Sequence, residues 1–294
     1  MICNLCPRQC KALRTDEENL NGFCKMPLLP KTSRAALHFW EEPIISGTKG
    51  SGTVFFSGCT LDCVFCQNYA VSHEGKGEII SYNRLAEIFK ELEEKGAHNI
   101  NLVSPTHYAL AIKKALDIYR PNIPIVYNSG GYDRVETLKM LEGYIDIYLM
   151  DLKYISQEKA ALYSGAADYP QVAKMALLEA VRQQPENKIS KGIMQKGVIV
   201  RHLILPQSTR EAMGVFDWVR ENTPSVHFSI MSQYLPYAKA VDMPVINRKI
   251  TAREYNKVID YICNYDFPNI FTQQRESASE KFIPFFKSAD TLSK

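Results

Sequence analysis

Residues 53–66 read TVFFSGCTLDCVFC, and this stretch joins a β-rich run to three closely spaced cysteines. The run 53–57 has the residue types of a buried strand, and Gly58 marks its end. A C-x3-C-x2-C pattern then places the cysteines at Cys59, Cys63 and Cys66. The stretch therefore predicts a strand whose carboxyl end carries a loop with three thiols.

The composition of the chain is that of a globular protein. Of its 294 residues, 46% are hydrophobic and 23% are charged, which excludes a globally disordered chain. Lys plus Arg number 35 and Asp plus Glu 32, so a net charge of +3 gives no electrostatic reason to expect a nucleic acid or a membrane as partner. No apolar run approaches the roughly 20 residues that span a bilayer. The first residues also lack the basic-then-apolar order of a signal peptide, so we expect a cytoplasmic protein.

The eight cysteines are informative in a cytoplasmic chain, because disulfides are rare there and clustered cysteines more often bind metal or do redox chemistry. Seven of them fall into two tight groups, at 3–24 and 59–66. Cys263 stands alone on a predicted helix, and we expect it to be a small buried apolar residue.

Strand-like and helix-like segments alternate about six times from residue 53 onward. The predicted strands are 53–57, 99–103, 123–127, 145–150, 197–205, 226–231 and, as a short one, 270–272. The predicted helices are 82–95, 107–119, 134–141, segments within 157–183, 209–222 and 252–263. This alternation predicts an α/β fold with a parallel sheet, either doubly wound or an incomplete (β/α) barrel. In both folds the chemistry belongs at the carboxyl ends of the strands.

Three thiolates at such a strand end favour an iron–sulfur cluster. A [4Fe–4S] cluster usually takes four thiolates, so with three of them one iron keeps open coordination sites. The alternative is a zinc site in which His73 is the fourth ligand, although zinc sites usually assemble from two ligand pairs and a second pair is missing from this stretch.

The C-x3-C-x2-C pattern, with Phe65 directly before the last cysteine, resembles the signature of radical S-adenosylmethionine (SAM) enzymes. The resemblance implies that the open iron chelates the amino and carboxylate groups of the methionine part of SAM. It also implies that an electron from the cluster cleaves SAM to methionine and a 5′-deoxyadenosyl radical, which abstracts a hydrogen atom.

Further segments resemble the branch of this family that activates glycyl radical enzymes, typified by pyruvate formate-lyase activating enzyme. They lie at successive predicted strand ends: NLVSPTHY (101–108), VYNSGGY (126–132), YLMDLKY (148–154), VRHLILP (200–206) and MSQYLP (231–236). The fold implied is a partial (β/α)6 TIM-like barrel. We expect it to occupy residues 46–294, including a C-terminal extension, after a small Cys-rich metal-binding segment and linker at 1–45.

Polar residues at these strand ends form the candidate SAM shell, together with Phe65: Ser104, Thr106, Asn128, Ser129, Asp151, Lys153 and Arg201. Ser104 and Thr106 replace the motif that in the wider family holds the methionine amino group, and they are equally suited to cap the following helix. Asp151 and Lys153 occupy positions similar to those that contribute a monovalent-cation site and contacts to the methionine carboxylate. The alternative for this pair is a solvated charge pair.

Arg201 lies inside an apolar strand, where an unpaired charge would be costly. Its anionic partner is either the SAM carboxylate or a carboxylate of the sheet. His202 alternates to the other face of the strand, and we expect it to be packed there.

The first cysteine group, Cys3, Cys6, Cys10 and Cys24, supplies four thiolates in a short segment. Four thiolates complete a tetrahedral zinc site or fill a [4Fe–4S] cluster, so this second site has no open position. Zinc would stabilise a segment too small to bury a core of its own. An auxiliary cluster would relay electrons or offer a second docking point, and the spacing favours neither metal.

The resemblance implies a protein substrate, a glycine of a glycyl radical enzyme, and an electron donor of the flavodoxin or ferredoxin type. Radical modification of another peptide or of a small molecule is the alternative within enzymes. A non-enzymatic module that binds zinc or an iron–sulfur cluster, or transfers electrons, is the alternative class.

Overall fold

The computed structural model describes residues 1–16 and 21–273. Its strands are β1 (Lys31–His38), β2 (Ser51–Phe56), β3 (Glu78–Ile79), β4 (Ile100–Val103), β5 (Ile125–Ser129), β6 (Ile147–Asp151), β7 (Lys188–Ser190), β8 (Ile193–Leu203), β9 (His227–Met231) and β10 (Ile270–Thr272). Its α-helices are α1 (Pro43–Ser46), α2 (Tyr69–Ser72), α3 (Tyr82–Glu94), α4 (Ala109–Ile118), α5 (Val135–Met140), α6 (Gln157–Ser164), α7 (Tyr169–Gln183), α8 (Thr209–Asn222) and α9 (Ala252–Cys263). Thr106–Tyr108 and Ala238–Asp242 form short 3-10 helices.

One sheet organises the chain, with the strand order β10-β9-β8-β6-β5-β4-β2-β1-β3. From β10 to β2 every neighbouring pair is parallel. β1 is antiparallel to both β2 and β3, and β7 forms an antiparallel pair with β8. Within 1–16 and 21–273 the two end strands do not pair with each other, so the barrel stays open. The structure confirms the predicted α/β fold with a partial barrel.

The longer helices pack on the outside of the sheet through apolar faces. In α3 the buried residues recur at helical spacing, and the side chain of Ser81 caps the helix by accepting a hydrogen bond from the Arg84 N–H. The helical segments predicted within 157–183 are the two helices α6 and α7, and Gly165 ends α6 in a left-handed conformation (φ 62°).

The sequence pattern missed β1, which lies in the predicted linker. Residues 31–38 (KTSRAALH) contain neither an apolar run nor regular alternation. Pairing with β2 over Thr32–His38 is what makes this segment a strand. The sheet therefore begins inside the predicted N-terminal segment 1–45. The predicted C-terminal extension after residue 273 lies outside the described residues.

The inward and outward faces of the strands differ in character. On β6, Tyr148 and Met150 belong to the main core beneath the helices, whereas Ile147 and Leu149 belong to a second, smaller apolar cluster. That second cluster also contains Ile45 of α1, with Val126, Met194 and Ile199. Because side chains alternate along a strand, Asp151 lies on the same face as Leu149. An apolar layer inside the barrel therefore lies below the polar residues at the strand ends.

Cys263 corrects one expectation, since it is exposed at the end of α9 rather than buried. The buried residues of α9 are Val258 and Ile262, so Cys263 lies outside the apolar face of that helix.

Gly131 provides a test of how tightly the strand ends are packed. Its φ is +81°, and a Cβ atom would lie 2.0 Å from the backbone oxygen of Asp151. We expect Gly131→Ala to lower the free energy of unfolding in urea by more than about 3 kcal/mol, since both the backbone conformation and the contact become unfavourable. Gly143→Ala is the matched control, because Gly143 has a φ of +82° with nothing within 4 Å. Its cost should be roughly 1–2 kcal/mol. Equal costs for the two variants would show that the contact with Asp151 does not constrain the fold.

Candidate functional site: a three-cysteine loop beside a charged cavity

The three-cysteine loop follows β2 directly, as the sequence predicts. Gly58 turns the chain with a φ of +81°, and a Cβ atom there would lie 2.4 Å from Cγ of Met26. A side chain is therefore excluded at this turn by the N-terminal segment, which packs against it. The loop is also held from the other side, because the N–H groups of Asp62 and Val64 donate to the carbonyl oxygens of Ser164 and Tyr163 in α6.

Each of the three thiols has a polar neighbour. The Leu61 N–H donates to Cys59 Sγ at 3.4 Å. Cys63 Sγ lies 3.1 Å from Ser164 Oγ, and Cys66 Sγ lies 3.2 Å from Ser72 Oγ. Hydrogen bonds to the sulfurs are one means by which proteins tune iron–sulfur clusters, so these donors fit such a group.

Burial disfavours ionisation of these thiols. Burial, followed by the neighbouring Cys63, raises the pKa of Cys59 to about 12 and that of Cys66 to about 11. Burial also raises the pKa of Cys63 above its ordinary value. Thiolates form at such a site when a metal replaces the protons. Over residues 1–16 and 21–273, no three His, Cys, Asp or Glu side chains are grouped to share one metal ion. A [4Fe–4S] cluster does not need its thiolates to be grouped around one ion, because each thiolate binds a different iron.

A cavity of about 630 Å³ opens beside this loop, within the usual size of ligand sites. Seven residues of the predicted site line it: Cys63, Phe65, Cys66, Asn128, Asp151, Lys153 and Arg201. Phe65 also packs edge-on against Tyr234, with 5.8 Å between the ring centroids. Parallel strands bring their carboxyl ends to one edge, and for this reason residues far apart in sequence meet here.

Four charged side chains of alternating sign form a ladder across the cavity wall. Lys153 Nζ donates to Asp151 Oδ2 at 2.5 Å, and Arg201 Nε donates to Asp151 Oδ1 at 2.9 Å. Arg201 also pairs with Glu41 at 3.1 Å between Nη1 and Oε2. The four side chains are only 11–18% exposed. We call Lys153, Asp151, Arg201 and Glu41 the charge ladder.

The ladder favours the charged forms of Asp151 and Lys153. Burial alone would raise the pKa of Asp151, but Lys153 and Arg201 hold it below its ordinary value. Burial would lower the pKa of Lys153, but Asp151 and Cys63 raise it above the ordinary value. The predicted alternative of a solvated pair is therefore wrong for Asp151 and Lys153. For Arg201 the structure shows the second predicted alternative, in which its partner is a carboxylate of the sheet. Asp151 lies beside it on the neighbouring strand β6 and accepts a hydrogen bond from its Nε.

Asn128 joins the ladder to the inside of the barrel. Its amide oxygen accepts from Arg201 Nη2 at 2.7 Å, and its Nδ2 donates to Glu41 Oε1 at 3.2 Å. The same Glu41 oxygen accepts from Asn101 Nδ2 at 3.2 Å. Glu41 thus fixes two amides and one guanidinium at once.

Glu41 is the member of this site that the sequence analysis missed. It lies between β1 and α1 in a segment predicted to be linker, and the adjacent residues His38, Phe39 and Trp40 also line the cavity. The available signal was Arg201 itself, because a cation inside an apolar strand requires carboxylates. Nothing in the sequence pattern assigns that role to residue 41.

Four residues of the predicted cluster and SAM site are not among those that line the cavity, namely Cys59, Ser104, Thr106 and Ser129. The hydroxyls of Thr106 and Ser129 donate to the buried carboxylate of Asp133 at 2.6 Å each, as does the Tyr127 hydroxyl at 2.7 Å. Burial raises the pKa of Asp133. Ser104 has a positive φ of 58°, and its N–H donates to the carbonyl oxygen of Asn128 at 3.0 Å. The hydroxyl groups therefore organise the strand ends around Asp133.

The two histidines singled out in the sequence are engaged in hydrogen bonds. His73, the alternative zinc ligand, has Nε2 at 2.7 Å from Asp62 Oδ1 and Nδ1 at 2.7 Å from Ser72 Oγ. His202 is buried, as expected, with Nδ1 at 2.8 Å from the Leu152 carbonyl oxygen.

The first cysteine group packs as a small unit against the barrel. Cys3 and Cys6 are buried, Cys24 is half-buried and Cys10 is exposed. Burial raises the pKa of Cys6 to about 12, and the neighbouring thiols of the group raise it as well. Arg14 is buried beneath the unit and donates to the Met26 and His107 carbonyl oxygens at 3.2 and 2.5 Å.

Comparison with known proteins identifies the class of protein that this fold and site define. Residues 53–219, more than half of the chain, match the radical SAM superfamily domain, so the chain belongs to the radical SAM superfamily. Membership implies an enzyme with a [4Fe–4S] cluster and SAM. The three-cysteine loop and the adjacent cavity fit that pair of groups.

Two relatives come from Methanocaldococcus jannaschii. The uncharacterized protein MJ0674 is 31% identical over 279 residues, which cover 92% of this chain and 76% of MJ0674. The uncharacterized protein MJ0808 is 24% identical over 269 residues, which cover 82% of this chain and 73% of MJ0808.

Among solved structures, the chain is similar to SuiB of Streptococcus suis. The TM-score is 0.51 at 16% sequence identity, covering 74% of this chain and 47% of the SuiB chain. The structure of SuiB bound to precursor peptide SuiA matches equally well. The chain thus spans about half the length of the SuiB structures, and the likeness shows the shared fold. In residues 1–16 and 21–273, no helix has the length and hydropathy needed to cross a membrane.

The charge ladder makes a prediction for stability. Asp151→Asn leaves the buried Lys153 without its carboxylate partner and Arg201 with Glu41 alone, and we expect it to lower the free energy of unfolding in urea by about 3 kcal/mol. Asp117→Asn is the control, because Asp117 pairs with Lys113 on the exposed surface of α4 and its loss should leave stability nearly unchanged. Equal effects of the two substitutions would show that the ladder contributes no more than a surface ion pair.

Proposed function

We propose that this protein reductively cleaves SAM at a [4Fe–4S] cluster held by Cys59, Cys63 and Cys66, and that it takes a hydrogen atom from a polypeptide. The observation that carries the proposal is the three-cysteine loop beside a charged cavity: Cys63 and Cys66 line the cavity, and Cys59 lies in the same loop. When bound, the cluster and SAM together supply the 5′-deoxyadenosyl radical that abstracts the hydrogen. An electron donor of the flavodoxin or ferredoxin type is proposed from the resemblance of the sequence alone.

The charge ladder suits a zwitterionic ligand. Two cations and two carboxylates face the cavity, so they can pair with both the carboxylate and the amino group of a methionine moiety. We propose Asn128, Asp151, Lys153 and Arg201 as the polar SAM shell, with Phe65 as its apolar wall. Both carboxylate oxygens of Asp151 already bond to cations, so a monovalent cation would compete with Lys153 and Arg201 at this place.

Ser104, Thr106 and Ser129 are better supported in another role. Because Thr106 and Ser129 donate to Asp133, they fix the loops after β4 and β5 that carry the shell. We propose that they position the SAM shell and do not touch SAM.

The remainder of the cavity supports a peptide as substrate. Four amide side chains line it, namely Gln67, Asn68, Gln233 and Gln273. Burial, followed by the charge of Arg34, lowers the pKa of His38 to about 4, so this residue is neutral at pH 7. Neutral amide groups can pair with the backbone amides of a polypeptide, and an open sheet leaves room for a loop to enter. SuiB, which shares the fold, binds a precursor peptide.

Within polypeptides, a glycine of a glycyl radical enzyme is our first candidate, on the resemblance of the strand-end segments to activating enzymes. Modification of a different peptide or of a small molecule at the same site is the second. Both would use the same cleavage of SAM, so they differ only in the hydrogen donor.

We further propose that Cys3, Cys6, Cys10 and Cys24 hold a second metal, either zinc or an auxiliary [4Fe–4S] cluster. The mutual effect of these thiols on the pKa of Cys6 supports their grouping. In this proposal the metal-binding segment lies at the start of the predicted range 1–45, and β1 in the rest of that range already belongs to the sheet.

Cleavage of SAM tests the enzymatic proposal. Anaerobically reconstituted, reduced protein should form 5′-deoxyadenosine from SAM, measured by chromatography, and Cys63→Ala should reduce formation to background. Cys263→Ala is the matched control, because this cysteine is exposed and outside both groups, and it should retain full activity. If the reconstituted wild-type protein forms no 5′-deoxyadenosine, the chain is a non-enzymatic binding or electron-transfer module. Residual cleavage by Cys63→Ala would contradict the cluster assignment.

Isotope transfer tests the substrate class. With a candidate polypeptide deuterated at the glycine α-carbon, we expect deuterium in 5′-deoxyadenosine, measured by mass spectrometry. The same polypeptide deuterated at its alanine residues is the control and should transfer none. Transfer from a deuterated small molecule in the absence of any polypeptide would contradict the peptide proposal while leaving SAM cleavage intact.

A further inference from the structure

Arg8 connects the two cysteine groups. It lies between Cys6 and Cys10, and its side chain extends to the barrel. Its Nε donates to the carbonyl oxygen of Thr60 at 2.9 Å, and its Nη1 donates to that of Gly165 at 2.7 Å. Thr60 lies inside the three-cysteine loop, so a side chain of the first group bonds directly to the backbone of the second.

The two carbonyl groups that accept hydrogen bonds from Arg8 belong to the three-cysteine loop and to the end of α6, and both of these segments adjoin Cys63. Gly165 is the residue at the carboxyl end of α6, and the preceding Ser164 contacts the Cys63 thiol. The backbone carbonyl oxygen of Ser164 also accepts a hydrogen bond from the Asp62 N–H at 3.1 Å. Arg8 therefore ties the loop to the end of α6 at the place where both surround Cys63.

The position of Arg8 depends in turn on the first cysteine group. Its guanidinium lies 3.9 Å from the ring centroid of Phe23, the residue before Cys24, and 5.1 Å from that of Tyr132. Its backbone N–H hydrogen-bonds the Cys6 thiol. A metal that joins Cys6 to Cys24 would fix both the backbone of Arg8 and the ring on which its guanidinium stacks.

We propose that Arg8 is a positioning residue that couples metal binding at the first cysteine group to retention of the cluster at Cys59, Cys63 and Cys66. This inference rests on the proposed function for the identity of both metal sites. It adds that the first site supports the second through one side chain. Loss of metal at the first site would release Arg8, and the three-cysteine loop would keep its direct backbone bonds to α6 but lose the bridge that Arg8 adds to them.

The experiment is a double-mutant cycle on the full-length, metal-loaded protein. The signal is the part of the visible absorbance that Cys63→Ala removes, followed during an EDTA challenge in the absence of SAM. We expect Arg8→Met to lose this signal about tenfold faster than wild type, since two charge-assisted hydrogen bonds are removed. Cys10→Ser, at an exposed position that disturbs little packing, should remove metal from the first site and accelerate the loss to a similar extent.

Coupling is diagnosed by the double variant. If Arg8 transmits the effect of the first site, Arg8→Met combined with Cys10→Ser loses the cluster no faster than Arg8→Met alone. Arg8→Lys keeps the charge but not the forked donors of a guanidinium, so its rate of cluster loss should lie between those of wild type and Arg8→Met. Additive effects, or wild-type retention in Arg8→Met, would overturn the proposal.

Arg134→Met is the matched control. Arg134 also joins the N-terminal segment to the barrel, through Nη1 and the Asn4 carbonyl oxygen at 2.5 Å, but it has no bond to the three-cysteine loop. It should retain the cluster like wild type, and loss equal to that of Arg8→Met would overturn the specific role of Arg8. Because cluster retention is measured without SAM, the coupling is judged separately from SAM cleavage by the wild-type protein.

Discussion

The ion pair between Arg201 and Asp151 is the interaction on which the cavity depends. A guanidinium on the inward face of a buried strand is tolerable only when its charge and its donors are satisfied, and the parallel register of β6 and β8 places a carboxylate directly beside it. The two other nitrogens of the Arg201 guanidinium then bond to Asn128 and Glu41. The second carboxylate oxygen of Asp151 accepts a hydrogen bond from Lys153. The polar wall of the cavity thus follows from a single buried charge above an apolar layer.

Much of this arrangement could be predicted from the sequence, because parallel strands have one common edge. A polar residue at the carboxyl end of an apolar strand lies at that edge of the sheet. Four such residues therefore line one cavity, namely Asn128, Asp151, Lys153 and Arg201. The same rule could not separate these residues from Ser104, Thr106 and Ser129, which also follow strands. Short hydroxyl side chains bond to polar groups close to them, and here the buried carboxylate of Asp133, in the loop after β5, accepts hydrogen bonds from two of them.

The sequence could not predict an element whose conformation depends on hydrogen bonding to a neighbouring strand and not on a hydrophobic pattern. β1 carries no periodic signal, since an antiparallel strand at the side of a sheet is stabilised by its neighbour and not by an apolar run. The sequence therefore predicts a linker after β1, and it gives no sign that this loop contributes to the cavity. The exposed position of Cys263 has a related cause, because the apolar residues around it suggest a buried face that tertiary packing assigns to Val258 and Ile262.

The segment that carries Glu41 lies before residues 53–219, the part of the chain that matches the superfamily. A side chain from outside the shared domain therefore completes the charge balance inside it. The β1–α1 loop packs into the barrel mouth without belonging to its strands, so substitutions there can alter what the cavity accepts while leaving the barrel intact. The loop thus adds a second carboxylate to the cavity wall, and exchanging Glu41 would change the charge that the cavity presents to a ligand.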